Sequence, residues 1–183
     1  MERVKPLRAD GQRNRERIAT AAAELVARDG AQASLEEIAR RAGVGSATLH
    51  RHFPSRQSLL ETVFRDGIAQ LCARAAAQPG KAPADELAAW LEEATVYTAT
   101  HRGLAEVLLT GPDALKAEEI CGSDRLRDAL NVLVERASSM GAIQAGATTE
   151  DLMMLANAIA IANEDDPVTA RRVLRLALAG IRR

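Results

Sequence analysis

The chain has 183 residues, 47% of them hydrophobic and 27% charged, which suits one domain of ordinary size or a small module joined to a larger one. Aromatics make up only 2%, so packing must rest on Leu, Val, Ile and Ala, as in helix bundles. No run approaches the ~20 apolar residues of a membrane span, and the opening residues MERVKPLRADGQRNRER lack a signal-peptide core. Cys72 and Cys121 fit unpaired thiols in a reducing cytosol better than a disulfide or redox switch. The net charge of -1 argues on its face against a polyanionic partner, yet its distribution is uneven. Residues 1–65 hold 12 Lys and Arg against 8 Asp and Glu (net +4), and residues 66–183 hold 12 against 17 (net -5). A basic front and an acidic rear let one end approach a polyanion while the other avoids it.

Helical periodicity begins near Arg13, where Ile18, Ala22, Leu25 and Val26 share one face, and Asp29-Gly30 supplies a stop. Ser34-Leu35-Glu36-Glu37 has the form of a capping box and opens a helix to about Arg41. Gly43 is a natural left-handed stop, and a helical stretch from Ser46 to His52 follows at once. Pro54 breaks that stretch, and Ser55 starts a longer helix with Leu60, Val63, Phe64, Ile68 and Leu71 on its face, ending before the Gln78–Pro83 linker. Beyond the linker the spacing predicts helices at 84–100, 102–110, 124–140, 148–163 and 167–182, with residues 111–123 ambiguous. Thr148-Thr149-Glu150-Asp151 resembles a second capping box, and Asp166-Pro167 supplies a cap followed by proline at the first helical position. The expected fold is all-α, with about nine helices.

The segment Gly45–Leu60, GSATLHRHFPSRQSLL, brings two histidines and two arginines together. A shared metal needs ligands three or four apart on a helix, but His50 and His52 are two apart, His101 is remote, and no Cys or carboxylate stands at zinc spacing. No nucleophile and base pair has a signature there either. A helix-turn-helix does fit: it needs a small residue where two helices cross, a glycine at the turn and apolar anchors on the second helix. Ala39, Gly43 and Leu49 supply these, with Ile38 and Val44 beside them. Leu49 and Phe53 then face inward, and Ser46, Ala47, His50 and Arg51 face outward. Short side chains at the front of such a helix permit deep entry into the major groove, where Arg51 can read guanine edges or hold a phosphate.

The tract from Ile18 to Phe64, and within it the pattern AxxAGVxxxTLxxHFPSRxxLL, resembles the DNA-binding domain of the TetR family of bacterial transcriptional regulators. The resemblance implies a three-helix DNA-binding domain at residues 1–54 and a helical regulatory and dimerisation domain at 55–183, joined by the helix at 55–77. Carried over, Thr48, His50 and His52 would contact phosphates, Arg56 would occupy the basic position after Phe-Pro-Ser, and Ser46, Ala47 and Arg51 would face bases. Ser34 would serve both as cap and as a phosphate contact through its amide. Two departures from the family pattern stand out: His50 replaces the usual tyrosine, and Gly45 replaces a common serine or threonine. The leading Arg3, Lys5, Arg8, Arg13, Arg15 and Arg17 read either as a solvated tail or as an arm that tracks phosphates.

One recognition helix reads only a few base pairs, so specificity calls for a dimer with helices roughly 34–36 Å apart. The last helix is apolar on two sides, Leu174, Ala177, Leu178 and Ile181 on one and Val173, Leu176 and Gly180 on the other, and Leu152–Ala162 is apolar except for Asn157. A two-fold interface through Leu155, Ile159, Leu174, Leu178 and Ile181 is the simplest account, and the family implies the same arrangement. Effector-site candidates are Trp90, Tyr97, His101, Leu108, Met153, Met154 and Asn157, each of which could instead be core. Glu164, Asp165 and Asp166 read as a solvated turn.

The leading expectation is a cytoplasmic bacterial repressor, a homodimer on a palindromic double-stranded operator, released by a small-molecule effector of unknown identity. It needs no cofactor, metal, membrane or enzymatic activity. A helical enzyme or metal-binding bundle that merely contains a helix-turn-helix, and a constitutive DNA-binding or protein-interaction module, remain open beside it.

Overall fold

A computed structural model describes residues 5–76, 82–110, 123–164 and 166–180, with the side chains of 5–9, 102–110 and 123 outside the description. Among the described residues there are eight α-helices and no β-strand: α1 Lys5–Asp29, α2 Leu35–Ala42, α3 Ser46–His52, α4 Arg56–Ala76, α5 Pro83–Thr110, α6 Ser123–Ser139, α7 Thr149–Ala162 and α8 Pro167–Ala179. No helix among them is long and apolar enough to cross a membrane.

Two expected boundaries move. α1 starts at Lys5 rather than near Arg13. Its first turns lack apolar periodicity but carry polar pairs at helical spacing, Arg13 with Asp10 and Gln12 with Glu16, so the described leading residues are helix and not a loose tail. α5 runs unbroken through the expected gap near residue 101. The residue there that disfavours helix is Gly103, and a lone glycine costs only about 1 kcal/mol. Among the described residues the merger leaves eight helices where about nine were expected.

The caps follow the sequence, with one exception. The Ser34 hydroxyl accepts from the Glu37 amide at 3.3 Å, but the Glu37 carboxylate turns to Arg40 (2.6 and 2.7 Å) instead of reaching back, so the first capping box is half made. The Thr148–Asp151 box is complete, and the Asp166 carboxylate accepts from the Thr169 amide at 2.9 Å with Pro167 in the first turn. Gly43 ends α2 in the left-handed region (φ 64°), and a β-carbon there would also collide with the Arg17 guanidinium. The left-handed backbone is what favours glycine at position 43, since the exposed Arg17 tip can move aside.

The chain divides into two compact units, residues 1–65 with 103–120 and residues 66–102 with 121–183. The division falls inside α4, between residues 65 and 66. The core of the first unit is built on Ile18, Ala22 and Leu25 of α1, Ile38 and Ala39 of α2, Leu49 of α3, Phe53, and Leu59, Leu60 and Val63 of α4. The core of the second gathers Leu87, Trp90 and Leu91 of α5, Leu130, Leu133 and Ala137 of α6, Leu152, Ile159 and Ala160 of α7, and Ala170, Leu174 and Leu178 of α8. Ion pairs brace it: Arg136 holds the buried Glu86 at 2.8 Å, and Arg175 grips Glu92 bidentately at 2.7 and 2.8 Å.

Candidate nucleic-acid interface

α3 has seven residues, too few to be stable alone, so its shape depends on what it rests on. Leu49 and Phe53, one turn apart, are almost fully buried in the first core, each contributing roughly 1.5–3 kcal/mol. With those two pinned, helical geometry leaves Ser46, Ala47, His50 and Arg51 on the exposed side, and they are exposed. Thr48 and His52 flank that face half-buried. From Ile38 to Leu60 there is no carboxylate, while Arg40, Arg41, Arg51 and Arg56 fall within the same stretch. The outward face of α3 is therefore narrow, small at its front, basic at its end and free of repelling charge, the properties a major-groove reader requires.

Ser34 is exposed at the N-terminus of α2, as a phosphate contact requires. Arg56 is drawn inward: its Nη1 donates to the carbonyls of Ala31 (3.1 Å) and Ala33 (2.6 Å), pinning the start of α4 to the turn between α1 and α2. Sequence reasoning did not foresee that role. It also missed Arg15, counted among the leading charges. The Arg15 Nη1 donates to the His52 carbonyl at 3.1 Å, its Nη2 to the Thr62 hydroxyl at 3.3 Å, and its guanidinium covers the Phe53 ring at 4.4 Å. A signal was present, since Arg15 stands three residues before Ile18 and so on the inward side of α1.

The seven effector candidates stand in different settings. Trp90 is core, and its Nε1 donates to the Leu71 carbonyl at 2.9 Å. Tyr97 and His101 stack with centroids 4.1 Å apart, and the His101 Nδ1 lies 2.9 Å from the Tyr97 carbonyl. Burial raises the Tyr97 hydroxyl pKa, with nearby Asp66 adding to it, and burial lowers that of His101 against the opposing backbone hydrogen bond. Met153 packs against the core, but Met154 is 67% exposed and Asn157 is exposed as well, so the polar group expected inside an apolar run lies on its outer side. The Leu108 side chain lies outside the described residues. A cleft of about 370 Å³ is lined by Gln144–Ala147, Asp151, Leu152 and Leu155.

Of the five residues expected at a dimer interface, three belong to the core of their own subunit. Leu174 and Leu178 are 1% and 5% exposed, buried in their own subunit's core, and Ile159 is buried there too. Leu155 is half-buried against the same core, and Ile181 lies outside the described residues. The large apolar side chains left exposed on these two helices are Leu176 (66%) and Val168 on α8 and Met154 and Ile161 on α7. Both faces of α8 read as apolar in sequence, and only the packing of α6 and α7 decides which turns inward.

Residues 18–63 match the family described as bacterial regulatory proteins of the tetR family, and residues 82–183 match the C-terminal domain described as that of SbtR-like transcriptional regulators. The chain is 32% identical to a TetR transcriptional regulator of Streptomyces coelicolor over 92% of this chain and 98% of that one, with a TM-score of 0.71. It is 28% identical to a TetR transcription regulatory protein of Mycobacterium vanbaalenii over 97% of this chain and all of the other (100%), with a TM-score of 0.72. The regulator FadR of Bacillus subtilis, solved with stearoyl-CoA, shares the fold at 20% identity over 91% of this chain and 98% of that one, TM-score 0.57. No curated protein sequence matches significantly. With a DNA-binding module and a regulatory module both matched over their lengths, the chain belongs to the TetR family of bacterial transcriptional regulators.

Proposed function

We propose that this regulator is a homodimeric repressor of the bacterial cytoplasm, acting by binding and not by turnover. It would read a palindromic operator through α3 and release it when a small molecule binds among the helices of residues 66–183. The observation that carries the reading is the exposed row Ser46, Ala47, His50 and Arg51, backed by the buried Leu49 and Phe53. Arg51 would read a guanine edge. Ser34, Thr48, His50 and His52 would hold phosphates, with the Arg56 Nη1 serving the fold instead. Each subunit would offer its partner the exposed apolar side chains Met154, Ile161, Val168 and Leu176, since large apolar groups on two adjoining helices gain by being covered by a second copy.

Release would follow from a ligand that prefers a spacing of recognition helices unsuited to the operator. Selection of bound DNA from a random pool, footprinted at several salt concentrations, tests the first half: a palindrome with guanine opposite Arg51 is expected, and binding with no sequence preference rejects specific regulation. Loss of operator binding with a metabolite from a thermal-shift panel tests the second.

A further inference from the structure

We infer that Arg15 is a positioning residue for operator recognition, a strut that sets the seat of α3 without touching DNA; the inference rests on the reading of α3 as the DNA-reading helix. A helix leaves its last carbonyls without helical partners, and the His52 carbonyl at the end of α3 is taken up by the Arg15 Nη1 at 3.1 Å. The other arm of the same guanidinium donates to the Thr62 hydroxyl on α4 at 3.3 Å, and that hydroxyl donates onward to the Ser58 carbonyl at 3.0 Å. Between the two arms the guanidinium plane covers Phe53, which is 1% exposed and links α3 to α4. One planar group therefore spans α1, the end of α3 and α4, a task that needs the two-armed fork of arginine and that a lysine ammonium cannot perform.

Half-buried and committed on both arms, Arg15 is in no position to add a phosphate contact. Its effect must travel through the His52 end of α3, one residue beyond the base-facing Arg51. A small displacement there misaligns the helix against base edges while leaving backbone attraction in place, because non-specific binding depends on charge and not on register.

The test measures affinity of the full chain for its selected operator and for random duplex, each across a salt series, at a temperature where every variant is folded. Arg15→Met is expected to lose roughly tenfold or more on the operator, little on random DNA, with an unchanged salt slope. Thr62→Val, at a position too buried to meet DNA, is expected to weaken operator binding in the same sense and to be non-additive with Arg15→Met. Arg15→Lys, which keeps the charge but not the fork, should recover little. Equal losses on operator and random DNA with the slope lowered by about 0.9, or full rescue by lysine, would make Arg15 a phosphate contact and overturn the inference. A drop in melting temperature with both affinities intact overturns it too. Should Arg15→Met not fold, Thr62→Val and Arg15→Lys decide the matter by the same comparison. Wild-type chain that prefers no DNA sequence sinks the repressor reading itself, whereas a wild type that selects an operator and variants that bind it equally well sink this inference alone.

Discussion

The ring of Tyr97, on α5, lies against the backbone of α4 at Gly67, so close that a β-carbon at position 67 would overlap the ring. The ring is not free to swing away, because its other side stacks on His101. Gly67→Ala is therefore expected to destabilise the fold by about 1–3 kcal/mol, the usual cost of overpacking, even though alanine is the better helix former. Denaturant midpoints check this. Trimming the ring in the double variant Gly67→Ala with Tyr97→Leu should cost less than the two changes added separately, and strict additivity would mean the contact is not tight.

His101 makes stability depend on pH in a definite direction. Burial holds its folded pKa below the ordinary value of about 6.5 despite the Tyr97 carbonyl, so the unfolded chain binds a proton that the folded chain resists. The contribution is whole above that ordinary value and is lost as pH falls through and below it. Urea unfolding at pH 7.5 and pH 5.5 should show a larger loss for the native chain than for His101→Leu. Equal losses would mean that His101 titrates normally.

What could be read from residue order, and what could not, divides along a physical line. Leu49, Phe53 and Gly43 were legible because helical spacing and backbone stereochemistry act over a few residues. The outward row on α3 followed at once from those anchors. The partners of Arg15 and Arg56 were not, since both bind backbone carbonyls more than twenty positions away; spacing from Ile18 marks Arg15 as inward-facing, but nothing in the sequence names what either arginine ties. The setting of each effector candidate was hidden for a related reason: Trp90 and Met154 look alike as large apolar residues on helices, but one is core and the other is open to solvent.

α8 turns the same limitation into an experiment on assembly. Because Leu178 is buried in its own subunit and Leu176 is not, a charge at the two positions should have different consequences. Leu178→Glu is expected to destabilise the fold by several kcal/mol, on the order of 3–5, since it removes core packing and buries an unpaired carboxylate. Leu176→Glu should leave the subunit folded but shift it to monomer and weaken operator binding. Light scattering beside thermal melts separates the two, and a Leu176→Glu protein that remains dimeric would place the interface elsewhere.

Arg51 and Arg56 are five residues apart, carry the same charge and should fail in opposite ways. Arg51 is exposed on α3 with nothing holding it in the described structure, so Arg51→Ala should leave the melting temperature unchanged, cost about 1–3 kcal/mol of operator affinity and relax preference at one base pair. Arg56→Ala strips the Ala31 and Ala33 carbonyls of their charged donor, and two carbonyls left without it at a buried turn should lower stability by about 1–3 kcal/mol. Its operator affinity, measured where the variant is fully folded, should fall without any change in which bases are preferred. If instead Arg56→Ala melts like the native chain while its operator binding loses salt dependence, the guanidinium leaves the turn to hold a phosphate in the complex, and the division of labour between these two arginines is wrong.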